Sequence, residues 1–259
     1  MSEIEAYLTA TPWLLATICS VVGYLAGSVS SARIVYYLVT KRRDIEPFSE
    51  PIPHSDEMFE SKLVSATLIT KKLGKKYGCI TSLMDMLKVV LPLLLVKLVF
   101  TEEPYYLLVA LFGVAGHNFP VWYNFVGGRG ESPIMAVILV INWFGLFILN
   151  AAAAVLGFIV GSVLVLRWGG YVLLIFWLWY WFDDWRYGLF MALVNVVFWV
   201  AQSGDLKKFI KLQREQGLKF SEEDVSEFIL MGKGIGRTLD RYSLYALLKR
   251  MVRKNNPEN

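Results

Sequence analysis

The chain has 259 residues, 56% of them hydrophobic, and a mean hydropathy of +0.48. Apolar runs on this scale exclude an ordinary soluble domain and place the chain among polytopic membrane proteins, and two cysteines make no disulfide framework. The formal charge of +4 is concentrated in residues 203–259, with twelve Lys/Arg against eight Asp/Glu. A basic segment beside a membrane fits an inside, anionic-lipid-facing surface better than a nucleic-acid site.

Residues 1–12 are acidic and hold no Lys or Arg, so no cleavable signal pattern is expected and Trp13–Val39 reads as a retained first span. Gly23, Gly27, Ser28, Ser30 and Ser31 interrupt it and suit close helix packing. Arg33 on this span needs a partner or must snorkel. Residues 40–62 form a polar loop with Pro47, Pro51 and Pro53, and His54 reads as a solvated loop histidine. Residues 61–79 predict a short basic helix at the interface, with Leu63, Ala66, Leu68, Ile69 and Leu73 against Lys71, Lys72, Lys75 and Lys76.

Ile80–Phe100 is the second span. Asp85 and Lys88 lie three residues apart on one face, and an ammonium at that depth is either paired with Asp85 or turned to a wet site. Pro92 predicts a kink, and Lys97 should snorkel. Pro104–Ala115 is the third span. It leads into Gly116-His117-Asn118-Phe119-Pro120-Val121 and then Gly127-Gly128-Arg129-Gly130. Such a turn presents backbone N–H groups beside a cation, which suits phosphate; it also reads simply as a polar turn between helices.

The run Pro133–Leu166 is too long for one span of about 20 residues, and Asn150 is the expected turn within it. Arg167–Gly170 then ends the fifth span. Tyr171–Phe182 is the sixth, with Trp177, Trp179 and Trp181 in an interfacial belt. Tyr187–Ala201 is the seventh. In the tail, Ser221 caps a helix start, Gly232–Gly236 reads as a hinge rather than a nucleotide loop, and Leu239–Val252 reads as one basic amphipathic helix. Residues 40–79 hold eight Lys/Arg and residues 1–12 none. The expected fold is therefore all-α: seven transmembrane helices with the N-terminus outside. The domains expected are a membrane domain over 1–202 and a basic cytoplasmic helical tail over 203–259.

That orientation brings Ser28, Ser30, Lys88, His117 and the glycine turn near one leaflet. Lys71, Lys88 and Arg129 with the turn could clamp a phosphorylated small molecule, and His117 could act as general base. Ser28, Ser30, Ser61 and Thr67 could orient polar groups. No nucleophile motif and no metal-ligand cluster stands out, so direct transfer without metal or cofactor is expected.

Several patterns then occur in order. Gly27-Ser28-Val29-Ser30, Asp44-Ile45, Ala66-Thr67, Leu73–Gly78, Asp85–Lys88 before Leu91-Pro92, Gly116–Val121 and Gly127–Gly130 follow one another from about Gly23 to Ala201. In this they resemble the bacterial acyl-phosphate-dependent glycerol-3-phosphate acyltransferases. The resemblance implies a seven-span inner-membrane enzyme with its site facing the cytoplasm. It would move an acyl group from acyl phosphate to the 1-hydroxyl of glycerol 3-phosphate. Lys88, Arg129 and the N–H groups of Gly127, Gly128 and Gly130 would hold phosphate, His117 would take the hydroxyl proton, and Asn118 would orient His117 or the substrate. In this chain Leu63 and Leu68 stand where the family has asparagines. Tyr37 stands where it has an arginine, with Arg33 a substitute one turn away. Its His-Arg-x-Asn falls on Gln202, Ser203, Gly204 and Asp205. These departures leave a second expectation: a non-catalytic relative that binds or carries a lipid or anionic metabolite, or a transferase with another acceptor. The expected partners are acyl phosphate, glycerol 3-phosphate and the bilayer, without nucleic acid. The residues carry no signal for an oligomeric state.

Overall fold

The computed structural model describes residues 11–51, 58–61, 63–215, 217, 220–228 and 233–255. The first ten residues, His54 and Gly232 lie outside them. Two compact units form. One takes Met1–Glu50, Met58–Trp143 and Leu189–Asp205, and the other Pro51–Glu57, Phe144–Gly188 and Leu206–Asn259.

The elements in order are α1 (Pro12–Gly27), α2 (Ser31–Thr40), a short ribbon of β1 (Phe48–Pro51) and β2 (Met58–Ser61), and α3 (Ala66–Leu73). Then come α4 (Lys75–Val99), α5 (Tyr106–Asn118), α6 (Glu131–Val160), α7 (Val163–Phe182) and α8 (Trp185–Glu215). The tail holds α9 (Glu222–Phe228), α10 (Lys233–Tyr242) and α11 (Leu244–Asn255). Among the described residues, five stretches are long and apolar enough to cross a membrane: Pro12–Thr40, Lys75–Val99, Glu131–Val160, Val163–Phe182 and Trp185–Lys207. Large apolar side chains on them face outward, Leu98 at 76% exposure among them, as a lipid-facing surface requires.

In the first unit α1 lies on α5 at backbone distance. A Cβ on Gly23 or Gly27 would run into the backbone of Val109 or Gly113, and one on Gly116 into the backbone of Tyr24. Lipid chains are as apolar as leucine, so close backbone approach through small residues is what drives such helix pairs together. The Tyr24 hydroxyl donates to the Phe119 carbonyl at 2.8 Å and fixes the two helices at the site end. Ala32, Val35, Tyr36, Val64, Leu68 and Ile69 form a second buried cluster between α2 and α3. That packing explains why the basic stretch is not one interfacial helix over 61–79. Gly74, at φ 97°, ends α3, and residues from Lys75 onward belong to the spanning helix α4. That helix continues through Pro92. Lys97, expected to snorkel, lies over the Tyr106 ring and 3.5 Å from the Val140 carbonyl.

Asn150 does not divide the long apolar run. Its Nδ2 donates to the Leu146 carbonyl at 2.6 Å, one turn back, and the helix passes through it. The break falls at Asn142, with φ −155° and ψ 81°, and the next turn at Gly161, with φ 73°. Consequently Arg167 belongs to α7 rather than to a loop.

In the second unit, Phe144, Trp177 and Trp181 stack as a cluster, with centroids 5.3–5.9 Å apart. The tail is tied to the α6–α7 turn: the Val163 N–H, an otherwise unpaired donor at the start of α7, gives its proton to Glu222 Oε2 at 2.7 Å. Ser221 and Asp224 form a reciprocal cap, as expected. The glycine hinge is not one where it is described. Gly234 and Gly236 lie inside α10, and Gly236 sits flat against the Glu222–Glu223 backbone. The single amphipathic helix expected over 239–252 is divided by Ser243 into α10 and α11.

Candidate functional site

The site lies in the first unit, where the first span breaks. Chain direction changes over Ser28–Ser30 between α1 and α2, and this break faces the C-terminal end of α5. A small cleft opens there. It is lined by Gly27–Ser30, Ala32, Val64, Asp85, Lys88, His117, Pro120, Gly127 and Gly128.

Asp85 is the electrostatic centre of the cleft. Its Oδ1 lies 2.8 Å from Lys88 Nζ and 3.3 Å from His117 Nδ1. The first contact is the i, i+3 pair within α4; the second crosses to α5 as a close polar contact without the alignment of a full hydrogen bond. Lys88 also donates to the Val29 carbonyl, freed by the helix break, at 2.6 Å. An ammonium has three protons, so one remains for the cleft. Lys88 is therefore both ion-paired and cleft-lining, and the two alternatives left open by its sequence position hold together.

The glycine turn is folded back on His117. Gly128 N–H donates to the His117 carbonyl at 3.1 Å, and the Gly127 carbonyl accepts from Val64 N–H at 2.9 Å. The bond from Gly128 takes one expected phosphate donor out of the set. A Cβ at Gly128 would overlap His117 Nε2, so only glycine lets the imidazole lie against the turn. Gly130, at φ 83°, faces the Asn118 side chain in the same manner. The Asn118 Nδ2 lies 3.4 Å from the Val197 carbonyl of α8, which it reaches as donor, so it ties the end of α5 to α8; its buried Oδ1 has no partner among the described residues.

A second cluster involves a residue that the site reading above did not include. Asp205, near the site end of α8, receives Arg129 NH2 at 3.0 Å and Ser61 Oγ at 3.1 Å on one oxygen, Oδ2. The signal was its place at the end of the His-Arg-x-Asn alignment, where a carboxylate replaces an amide. The same helix carries Gln202, buried one turn earlier, with its Nε2 unpartnered among the described residues. Of the other expected residues, Ser28 is fully buried and its hydroxyl donates to the Tyr24 carbonyl at 2.7 Å, whereas Ser30 stands at the α2 start on the cleft wall. Arg33 stacks over the Tyr123 ring at 4.5 Å. Thr67 is half-buried in the first turn of α3, and Lys71 is exposed on the same helix. Arg33, Ser61, Thr67, Lys71, Asn118, Arg129 and Gly130 are not among the cleft-lining residues.

Chemically, both cations already face a carboxylate. Of the two, Lys88 lines the cleft beside the start of α2, whereas Arg129 is held by Asp205 and is not among the lining residues.

A family model described as glycerol-3-phosphate acyltransferase matches residues 17–211. The chain belongs to this family. A glycerol-3-phosphate acyltransferase of Legionella pneumophila is 34% identical over 122 residues, covering 47% of this chain and 40% of that protein. One from Francisella tularensis subsp. novicida is 30% identical over 120 residues, covering 46% and 53%. The chain thus spans about half the length of the curated relatives it matches. Crystal structures of PlsY, an integral membrane glycerol 3-phosphate acyltransferase, in its lysophosphatidic acid and glycerol 3-phosphate forms, superpose with TM-scores of 0.58 and 0.59. Identity is 18%, over 76% of this chain and 92% of theirs. At that identity the likeness speaks for the family fold.

Proposed function

We propose that the chain is a membrane acyltransferase that moves an acyl group from acyl phosphate to glycerol 3-phosphate, giving lysophosphatidate and phosphate. The observation that carries the reading is the Asp85–Lys88–His117 cluster set against the glycine turn at a break in the first span. The relatives named glycerol-3-phosphate acyltransferase and the glycerol 3-phosphate form of the PlsY structure support the acceptor; the acyl phosphate donor follows from the resemblance.

In the step, the acceptor hydroxyl oxygen attacks the acyl carbonyl carbon. The C–O bond to phosphate breaks, and phosphate leaves with its electron pair. Asp85 beside Nδ1 favours the tautomer that leaves Nε2 able to take the hydroxyl proton. Lys88, Arg129 and the start of α2 would stabilise the charge on the departing phosphate. Acyl phosphate is already activated, so positioning and charge stabilisation suffice without a covalent enzyme intermediate.

The membrane reading that accompanies this is seven crossings with the N-terminus outside, in a bacterial inner membrane with the cleft and residues 203–259 on the cytoplasmic side. The break at Asn142 supports seven, because it divides α6 into two segments. Segments 106–118 and 131–141 are shorter than the about 20 residues of a full crossing. Reading them as spans sets the cleft below the membrane surface. Cysteine labelling at positions 60 and 240 from the cytoplasmic side checks the orientation; labelling of either from outside overturns it.

The decisive assay supplies reconstituted protein with acyl phosphate and glycerol 3-phosphate and follows lysophosphatidate. Product formation is expected. Binding of acyl phosphate without product, with several polyol phosphates offered, would establish a non-catalytic binder. The orphaned Gln202 in place of the family histidine is the observation that favours that second reading.

A further inference from the structure

The last described helix has an apolar face that the fold leaves uncovered. In α11, Leu244, Leu247, Leu248 and Met251 follow a 3, 4, 7 spacing and are 38–58% exposed. Tyr242 and Tyr245 beside them are also exposed. The same twelve-residue helix carries Lys249, Arg250, Arg253 and Lys254 and no acidic residue. A stripe of leucine and methionine with tyrosine at its flank and only positive charge around it is the make-up of a helix lying in a membrane interface. The charge excludes a basic partner and complements an anionic one.

Its anchoring places this helix at a membrane boundary. Ser243 and the Tyr245 Cβ stand where a Cβ on Gly161 would go, and Gly161 is the turn between α6 and α7, two of the candidate spans. The neighbouring tail helix α9 is fixed to the same turn through Glu222 and the Val163 N–H. α11 therefore begins where two spans leave the bilayer. A chain that starts there, apolar on one face and cationic elsewhere, has lipid headgroups as its neighbours.

We propose that α11 is an interfacial anchor. It lays Leu244, Leu247, Leu248 and Met251 into the headgroup–acyl boundary of an anionic leaflet, whose charge attracts the basic residues of the helix; Arg250 in the present structure donates to the Asp240 carbonyl at 3.3 Å. The proposal rests on α6 and α7 being membrane spans and is independent of the acyltransfer reading.

The test uses the full chain in nanodiscs, with Cys19 and Cys79 replaced and single labelled cysteines at 248, 251 and 246. Leu248 and Met251 lie on the apolar face, and Ala246 on the opposite one. Doxyl-lipid quenching in phosphatidylglycerol discs should be strong at 248 and 251 and weak at 246. It should decline in phosphatidylcholine discs or in high salt. Lys249→Glu and Arg250→Glu should each reduce the surface-bound population by at least about fivefold, the effect of one basic side chain near an anionic surface. Equal quenching at all three positions, or equal access of an aqueous quencher to all three, overturns the proposal. Strong face-selective quenching that ignores lipid charge overturns the anionic part and leaves a purely apolar contact. Protection of 248 and 251 from both lipid and aqueous quenchers would mean a second copy covers the face, and the proposal falls.

Discussion

Two carboxylates organise the first unit, and both share one oxygen between a basic side chain and a second polar side chain. Asp85 serves Lys88 from its own helix and His117 from the next one. Asp205 serves Arg129 and Ser61, which lie 76 and 144 residues away along the chain. The first cluster is built on a local pair and is deeply buried at the cleft wall, with Asp85 only 3% exposed. The second joins three distant segments at the site end of α8. A local pair resists change because the helix holds it in register. A pair between distant segments lasts only while those segments stay docked. The Asp85 cluster therefore sets an electrostatic floor for the cleft, and the Asp205 cluster depends on the docking of segments far apart in the chain.

Breaking the first cluster should have the largest effect. Asp85→Asn leaves Lys88 buried without its counter-ion. Removing one partner of a buried pair costs about 3–5 kcal/mol. Thermal unfolding in detergent should show that loss, and acyl transfer should vanish. Asp85→Asn with Lys88→Met should recover most of the stability and none of the activity. A double variant as unstable as the single one would show that the pair is not what holds this region.

Breaking the second cluster should spare the fold and strike the chemistry. Arg129→Ala should lower kcat by about 10²–10³, the range for losing one donor to developing charge. Asp205→Asn keeps a side chain of the same shape but removes the charge that competes with phosphate. It should lower KM for the phosphate substrates while leaving the melting temperature within a few degrees. A melting temperature that falls as far as in Asp85→Asn would erase the distinction between the two clusters.

Gly128→Ala sharpens the comparison from the side of packing. The added methyl would overlap His117 Nε2, and overpacking of this kind costs about 1–3 kcal/mol. The imidazole must then move off Asp85, so activity should fall more than stability does. Activity equal to wild type would place the reacting proton elsewhere.

The smallest expected effect lies in the second unit and serves as a control. Burial raises the Glu222 carboxyl above the ordinary range, with the Asp240 charge adding to it and the hydrogen bond from Val163 opposing. A carboxyl raised in the folded state contributes stability that is complete below its unfolded value and is lost as pH climbs through its folded one. Protection of the Val163 amide from hydrogen exchange, corrected for the intrinsic rate, should therefore decline as pH climbs through the upper carboxylate range. It should become flat in Glu222→Gln. Neither change should touch the Asp85 or Asp205 clusters.

The residues by themselves determined the membrane class, the helical fold and the local parts of the site. Length and hydropathy force apolar stretches across a bilayer. An i, i+3 spacing puts Asp85 beside Lys88 in any helix, and the Gly127–Gly130 pattern dictates a turn wherever it lies. The family resemblance was legible for the same reason, since its motifs are short and contiguous. Where α6 breaks was not legible, because Asn142 and Asn150 offer the same side chain. Asn150 donates to its turn-back carbonyl, Leu146, within an unbroken helix, whereas the backbone at Asn142 leaves the helical region. The partners of Arg129 and the direction of Asn118 were not legible either. Both depend on how α8 docks against the glycine turn, and that docking follows from packing among helices far apart in the chain, which no local spacing encodes.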